Sequence, residues 1–118
     1  MRKAVEPLIA AHEAALTTTV LAELDAARGR REYAGGLDEV WRAAREGRIH
    51  LLAVEEHYRT VVRDYGDHLE PAEASDLDAR DDIVDEIVEQ ALETGAEVRF
   101  VRDDSLADVA RIAAVLRY

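Results

Sequence analysis

The stretch DDIVDEIVEQALETGAEVRFV, residues 81–101, decides the fold. In its first half, apolar pairs recur at the spacing of an α-helix, at Ile83–Val84, Ile87–Val88 and Ala91–Leu92. Acidic residues crowd the first turns, where the helix dipole favours anions, and Gly95 ends the helix. Residues 96–101 then read as a strand with Val98 and Phe100 on one face. A helix that leads directly into a strand predicts an α/β protein.

The same kind of alternation extends through the rest of the chain. An apolar stripe predicts an N-terminal helix at about 4–28. Further helices are predicted at 37–47 and 81–94, and strands are predicted at 49–54, 59–65, 96–101 and 112–118. Residues 66–80 are acidic and rich in turn formers, so about 58–80 is expected to be an inserted loop. The pattern predicts one domain, residues 1–118, with a central sheet in an α/β layered fold.

The composition excludes several classes of protein. The chain has 26 acidic and 15 basic side chains, a net charge of −11, and no cysteine. Disulfides, thiolate zinc sites and cysteine nucleophiles are therefore excluded, and generic binding to nucleic acid or to anionic membranes is disfavoured. No apolar window reaches the ~20 residues that cross a bilayer. We expect a cytoplasmic protein with no membrane association.

No set of residues in the sequence predicts catalysis, a metal site or a cofactor. The double glycine Gly35–Gly36 lacks the frame and lysine of a phosphate-binding loop and is expected to turn the chain into a helix. Glu55, Glu56 and His57 could bind a divalent ion, which would make the protein a small metal-dependent hydrolase. Solvated loop side chains are the favoured interpretation of this cluster.

Arg28, Arg30 and Arg31 form the basic cluster of the sequence. They follow the predicted N-terminal helix, where cations offset the negative end of the helix dipole. That structural role is the favoured interpretation. The alternative is that the three arginines contact a phosphate or an acidic partner, so they are the candidate contact residues for a partner or RNA.

Three stretches, taken together, resemble a known family: AGGLDEVWRAAREGRIHLLAVEEHYR (34–59), DDIVDEIVEQALETGAEVRFVRDD (81–104) and ADVARIAAVLRY (107–118). They are similar to the C-terminal (third) domain of archaeal and eukaryotic peptide-chain release factors and of Pelota, and especially to that of bacterial release-factor-like proteins. The family's pattern matches Gly36, Ala43 with Gly47, Leu51–Val54, Gly95–Val98 and Leu116–Tyr118. The resemblance covers roughly residues 20–118.

The resemblance implies a three-layer α/β/α sandwich with a central mixed sheet, of the type also found in kink-turn-binding ribosomal proteins. It also implies a non-catalytic protein-interaction domain, acting in translation termination or ribosome rescue, whose partner is the ribosome or a translation factor. In the family, peptidyl-tRNA hydrolysis depends on a Gly-Gly-Gln loop of another domain, and here Gly36 is followed by Leu37. We therefore expect the chain to be the C-terminal part of a longer protein.

Two departures from the family pattern stand out. Some bacterial relatives carry a cysteine zinc ribbon after the first strand, whereas residues 58–80 hold no cysteine. Before the last strand the family often has Gly-Gly, where this chain has Ala110 and Arg111.

The kink-turn-binding proteins bind RNA through a basic face, so an RNA-binding domain that contacts ribosomal or transfer RNA through Arg28, Arg30 and Arg31 is the alternative function.

Overall fold

The computed structural model describes the backbone of residues 2–73 and 75–118, and within these ranges the side chains from residue 16 onward. Its elements are α1 (Arg2–Gly29), β1 (Tyr33–Gly35), α2 (Leu37–Arg45), β2 (Ile49–Glu55), β3 (Val62–Asp64), β4 (Leu69–Pro71), β5 (Ala79–Arg80), α3 (Ile83–Glu93), β6 (Glu97–Val101), a short 3₁₀ helix (Ala107–Val109) and β7 (Ile112–Leu116). The predicted helices and strands occur in the predicted order, and β1, β4 and β5 are additional short strands.

Four strands form the main sheet, in the order β1-β7-β2-β6. β2 and β6 are parallel, whereas β7 is antiparallel to both β1 and β2, so the sheet is mixed. The C-terminal strand therefore lies inside the sheet, and all five of its residues are buried. Its alternate side chains enter the two opposite cores, which explains why an apolar run stands at the end of so acidic a chain.

Helices cover both faces of the main sheet. On one face, Val20, Leu24 and Ala27 of α1 pack against side chains such as Leu51 and Val115. On the other face, α2 and α3 pack on the sheet through buried residues that recur at helical spacing, Val40, Trp41, Ala43, Ala44, Ile83, Val84, Ile87 and Ala91. The predicted three-layer α/β/α sandwich with a central mixed sheet is confirmed.

The sequence pattern missed β1. Residues 33–35 were interpreted as a break between helices, because three residues that end in glycine show no strand periodicity. In the fold they pair with β7, with Tyr33 opposite Val115 and Gly35 opposite Ala113. Gly36 then takes a φ of 88° and leads into α2, the role expected of it. A strand this short is stabilised by its neighbour and not by its own sequence.

Residues 66–80, expected to be part of an inserted loop, contain two short strands. β4 and β5 both lie in this range and pair with β3 in an antiparallel sheet of order β4-β3-β5, which we call the inserted sheet. β3 spans Val62–Asp64, shorter than the strand predicted at 59–65. Each of these strands has two or three residues, which is too few for an alternating pattern to appear in the sequence.

Candidate functional site

The three arginines of the basic cluster do not form one continuous patch. The Nη2 of Arg28 donates to the hydroxyl of Tyr33 over 3.0 Å, and its guanidinium lies 4.7 Å from the centre of that ring. Arg30 lies 3.8 Å from the carboxylate of Glu32. Arg31 has a positive φ of 62° and lines a different cleft from Arg28. The turn after α1 thus separates side chains that are adjacent in sequence.

The cleft beside Arg31 gathers basic side chains that the sequence pattern did not connect. It has a volume of about 300 Å³ and is also lined by Arg42 and Arg48, together with Glu39 and Glu46. Arg42 is paired with Asp38 at 2.8 Å, and the Nη2 of Arg48 donates to the main-chain oxygen of Tyr118 over 2.8 Å. Two carboxylates share this cleft with the guanidinium groups and repel phosphates. The cleft can therefore hold a single anionic group, but it is not a surface along which a phosphate backbone could lie.

Glu55 is a buried structural residue and not the solvated loop side chain that was expected. It ends β2, is 1% exposed, and its Oε1 lies 2.7 Å from the Nη1 of Arg111. Its Oε2 accepts a hydrogen bond from the main-chain N–H of Leu106 at 3.0 Å. Both carboxylate oxygens are therefore engaged in anchoring the segment before β7.

His57 binds the same segment from outside. Its main-chain N–H donates to Asp103 over 3.1 Å, and its Nδ1 lies 2.7 Å from the other oxygen of that carboxylate. The hydrogen bond to Asp103 raises the pKa of His57 because it favours the imidazolium form. Within the described residues no group of three or more His, Asp or Glu side chains is arranged to hold a metal ion. The Glu55–Glu56–His57 cluster therefore supports the packing of two loops.

The turn before β7 contains Ala110 and Arg111, where the family that the sequence resembles often has Gly-Gly. Ala110 and Arg111 both have positive φ values, 59° and 73°, which glycine adopts more easily than other residues. Arg111 also lies 2.8 Å from Asp104, and these two carboxylate partners, Asp104 and Glu55, raise the pKa of its guanidinium. The ion pairs offset the strain of a left-handed arginine, so the turn forms without glycine.

A cleft of about 440 Å³ lies at the carboxyl ends of the parallel strands β2 and β6, the edge where α/β sheets most often bind ligands. Its lining includes Glu55, His57, Asp103 and Arg111. The interactions described above join these groups in pairs of opposite charge. These four side chains of the cleft are thus bound to one another, and none of them is a nucleophile aligned with a base.

Within the part of the chain that the structure describes, no helix combines the length and the apolar character needed to cross a bilayer. We predict that the helix at 81–94 and the segment at 58–80, which correspond to α3 and the inserted sheet, are the variable surfaces that contact a partner. Their role as contact surfaces stays a prediction.

One family model matches the N-terminal part of the chain. Residues 1–48 match the model of the bacterial archaeo-eukaryotic release factor family 3. This match includes the first part of α1, which lies outside the range 20–118 of the resemblance seen in the sequence. No curated protein matches the chain.

Solved structures of Pelota and of archaeal release factors share the fold of this chain. Pelota from Archaeoglobus fulgidus is similar over 99% of this chain, with a TM-score of 0.69 and 19% identity, and this chain spans 34% of that protein. The C-terminal domain of a peptide chain release factor from Methanosarcina mazei is similar over 96% of this chain and 94% of its own length, with a TM-score of 0.54 and 21% identity. The archaeal translation termination factor aRF1 is similar over 89% of this chain and 26% of its own, with a TM-score of 0.54 and 22% identity. The expected resemblance to a release-factor and Pelota-like C-terminal domain is confirmed.

Proposed function

We propose that this domain is a non-catalytic protein-interaction domain of a bacterial release-factor-like protein that acts in translation termination or ribosome rescue. One combined observation carries the proposal. The first 48 residues match a bacterial release factor family, and the whole chain has the fold of the Pelota and release factor C-terminal domains. The partner is the ribosome or a translation factor bound to it, which places the protein in the cytoplasm.

The side chains support a binding role over a catalytic one. The residues that the hydrolase hypothesis needs, Glu55 and His57, are occupied by Leu106, Arg111 and Asp103 in contacts that stabilise the fold. The net charge of −11 opposes attraction to RNA phosphates and suits a partner surface that is itself basic. Both points favour a protein partner.

An RNA-binding function is the second candidate, because Arg31 forms no ion pair within the described residues and lies beside Arg42 and Arg48 in one cleft. The two functions differ in their response to salt. Binding through phosphate contacts falls steeply as ionic strength rises, since counterions released from the nucleic acid drive it. Binding to a protein surface through packed side chains falls less.

Sedimentation with purified bacterial ribosomes, at low and moderate salt, tests the proposal. We expect the chain to sediment with ribosomes at both salt concentrations, and a variant with Arg28→Ala, Arg30→Ala and Arg31→Ala to behave in the same way. A matched control changes three other arginines, Arg59, Arg63 and Arg102, to alanine. Binding that is lost at moderate salt and in the first triple variant alone would favour RNA contact. No sedimentation at either salt concentration would contradict both functions.

A further inference from the structure

One edge of the main sheet is open. In the order β1-β7-β2-β6, β6 is a terminal strand that pairs with β2 alone among the described residues. The main-chain oxygen of Val101 accepts a hydrogen bond from the N–H of Glu56, so the polar groups of Val101 point toward β2. Successive residues of a strand point to opposite sides, and therefore the N–H and C=O groups of Val98 and Phe100 point to the open edge. An edge of this kind can pair with a strand of another chain.

Apolar side chains line this edge on the face that carries α3. The register places Val98 opposite Leu52 and Phe100 opposite Val54, and both partners belong to the core beneath α2 and α3. Phe100 is nevertheless 56% exposed, and it is the one phenylalanine of the sequence. A large apolar side chain at a free strand edge is typical of a surface that a partner covers.

The helix next to the edge continues the apolar strip. Val88 is half-buried, and Leu92, one turn later on the same flank of α3, is 56% exposed. The opposite flank of the helix faces the inserted sheet, because Glu86 is bound there by Arg80 at 2.8 Å. The flank with Leu92 therefore faces the β6 edge.

Two carboxylates border the strip. On the helix surface Asp85 lies one turn before Val88 and Glu89 lies one turn before Leu92, and both carboxylates are exposed. Neither of them forms an ion pair among residues 16–73 and 75–118, whose side chains the structure describes. Unpaired carboxylates beside an apolar strip attract a segment that carries both apolar and basic side chains.

The charges on the other face of β6 differ. Arg99 lies opposite Ala53, which belongs to the core beneath α1, so its side chain is on the α1 face. Its Nη1 donates to the main-chain oxygen of Val98 over 3.2 Å, which partly covers the open edge in the free domain. Since Arg99 is exposed, a partner strand that supplies an N–H to the same oxygen would displace it.

We propose that the free edge of β6 binds an extended basic segment of a partner protein, which adds to the main sheet as a further strand. Its side chains on the α3 face are apolar where they meet Phe100 and Leu92, and basic where they meet Asp85 and Glu89. Hydrogen bonds to Val98 and Phe100 provide affinity, and the two kinds of side chain provide specificity. This proposal rests on the proposed function, because it names the surface and the partner chemistry of a protein-interaction domain.

Fluorescence anisotropy with a labelled nine-residue peptide tests the site in the full chain. The peptide alternates threonine on one face of the strand with valine and lysine in turn on the other. We expect it to bind, and we expect Phe100→Ala to weaken binding by about tenfold, as for a contact at the centre of an interface. Asp85→Lys combined with Glu89→Lys should weaken it similarly. Leu77→Ala, at a fully exposed leucine elsewhere, and Glu23→Lys on α1 are the matched controls.

Backbone methylation of the peptide separates strand addition from simple charge attraction. Two versions carry N-methyl groups on alternate residues, one on each edge of the strand. Strand addition requires that one version loses binding and the other keeps it, and that the amides of Val98 and Phe100 exchange with solvent more slowly when the peptide is bound. Equal binding of the two versions, an unchanged affinity of the Phe100→Ala variant, or no binding of the peptide would each overturn the proposal.

Ribosome sedimentation of the unmodified chain, compared with the peptide experiment, distinguishes this proposal from the proposed function. If the peptide experiment fails while the chain still sediments with ribosomes, the β6 site is refuted and the protein-interaction function stands. If the peptide binds as expected while the chain does not sediment, the edge is a binding site and the ribosomal function is refuted.

Discussion

The two central strands of the main sheet, β2 and β7, bury nearly all of their residues, whereas the strands of the inserted sheet bury only Val62 and Leu69 and leave their other residues half-buried or exposed. Three arginine–carboxylate contacts connect β5 to its surroundings, from Arg80 to Asp64, Asp82 and Glu86 at 2.8–3.3 Å. Burial of apolar side chains stabilises the first region, and exposed or half-exposed charges hold the second. The main sheet should therefore resist changes of salt and pH to which the inserted sheet responds.

Ile87→Ala tests the main sheet and should have the largest effect. Ile87 is fully buried between α3 and the sheet, and its truncation removes packed methyl groups and leaves a cavity. We expect the free energy of unfolding to fall by about 2–5 kcal/mol, measured by urea denaturation. Leu77→Ala, at an exposed site, should change it by less than about 0.5 kcal/mol. Equal losses in the two variants would contradict this assignment of the core.

Glu55→Ala tests the buried carboxylate that connects β2 to the turn before β7. The substitution leaves the N–H of Leu106 without its acceptor, so unfolding should become easier by about 1–3 kcal/mol in the same assay. Glu55→Gln keeps an oxygen for Leu106 and should lose less. If both substitutions cost the same, the attraction to Arg111 and not the hydrogen bond would be the main contribution of Glu55.

Arg80→Ala tests the inserted sheet. Ion pairs at a surface contribute little individually, so the loss of this network should lower stability by about 1 kcal/mol or less, mainly within residues 62–80. Amide hydrogen exchange should become faster in β3 and β5 and stay unchanged in β2 and β7. High salt should produce the same pattern in the unmodified chain. A fall in the unfolding free energy as large as that of Ile87→Ala would show that the two regions are not distinct.

A change of pH should have the smallest effect, and in the inserted sheet it should act through His68. His68 lies 2.7 Å from Asp67 and 3.4 Å from Glu70; the hydrogen bond to Asp67 and then the contact with Glu70 raise the pKa of the imidazole. The bond to His68 also lowers the pKa of Asp67. The contribution of His68 to stability is therefore complete below its unfolded pKa of about 6.5 and is lost as the pH rises through its higher folded pKa. The contribution of Asp67 to stability is complete above its unfolded pKa of about 3.9 and is lost as the pH falls through its lower folded pKa.

Amide exchange in β4, followed from pH 4 to pH 8, checks this expectation. Protection should be highest between about pH 4 and 6.5 and should decline above that range. His68→Gln should remove the decline at high pH. A decline that persists in this variant, or that appears equally in β7, would assign the pH dependence to other groups.

Much of the main sheet could be predicted from the sequence because its signals are local. The helix at 81–94 and the strands at 49–54, 96–101 and 112–118 were each predicted within a few residues of their ends. A five-residue strand that is buried on both faces must be apolar throughout, and a helix that packs on a sheet must repeat its apolar residues every three or four positions. The inserted sheet gave no such signal, since strands of two or three residues are too short for either pattern.

The candidate sites were less predictable. The sequence singled out Arg28, Arg30 and Arg31, but the turn at Arg31 directs Arg28 and Arg31 to different clefts. The cleft that Arg31 lines is also lined by Arg42 and Arg48, which belong to later parts of the chain. The role of Glu55 depends on Arg111, which lies far along the chain and becomes its neighbour only when β7 inserts beside β2. No local pattern records such a pair.

The sequence by itself determined the class of fold, the order of its main elements and the absence of thiol chemistry, because periodicity and composition are properties of the chain. Only the tertiary structure decided which strand ends the sheet, which carboxylate is buried and where Phe100 is exposed. These features depend on contacts between residues that are distant in sequence. Whether a side chain binds a partner or stabilises the core is set by the neighbours that the fold brings to it.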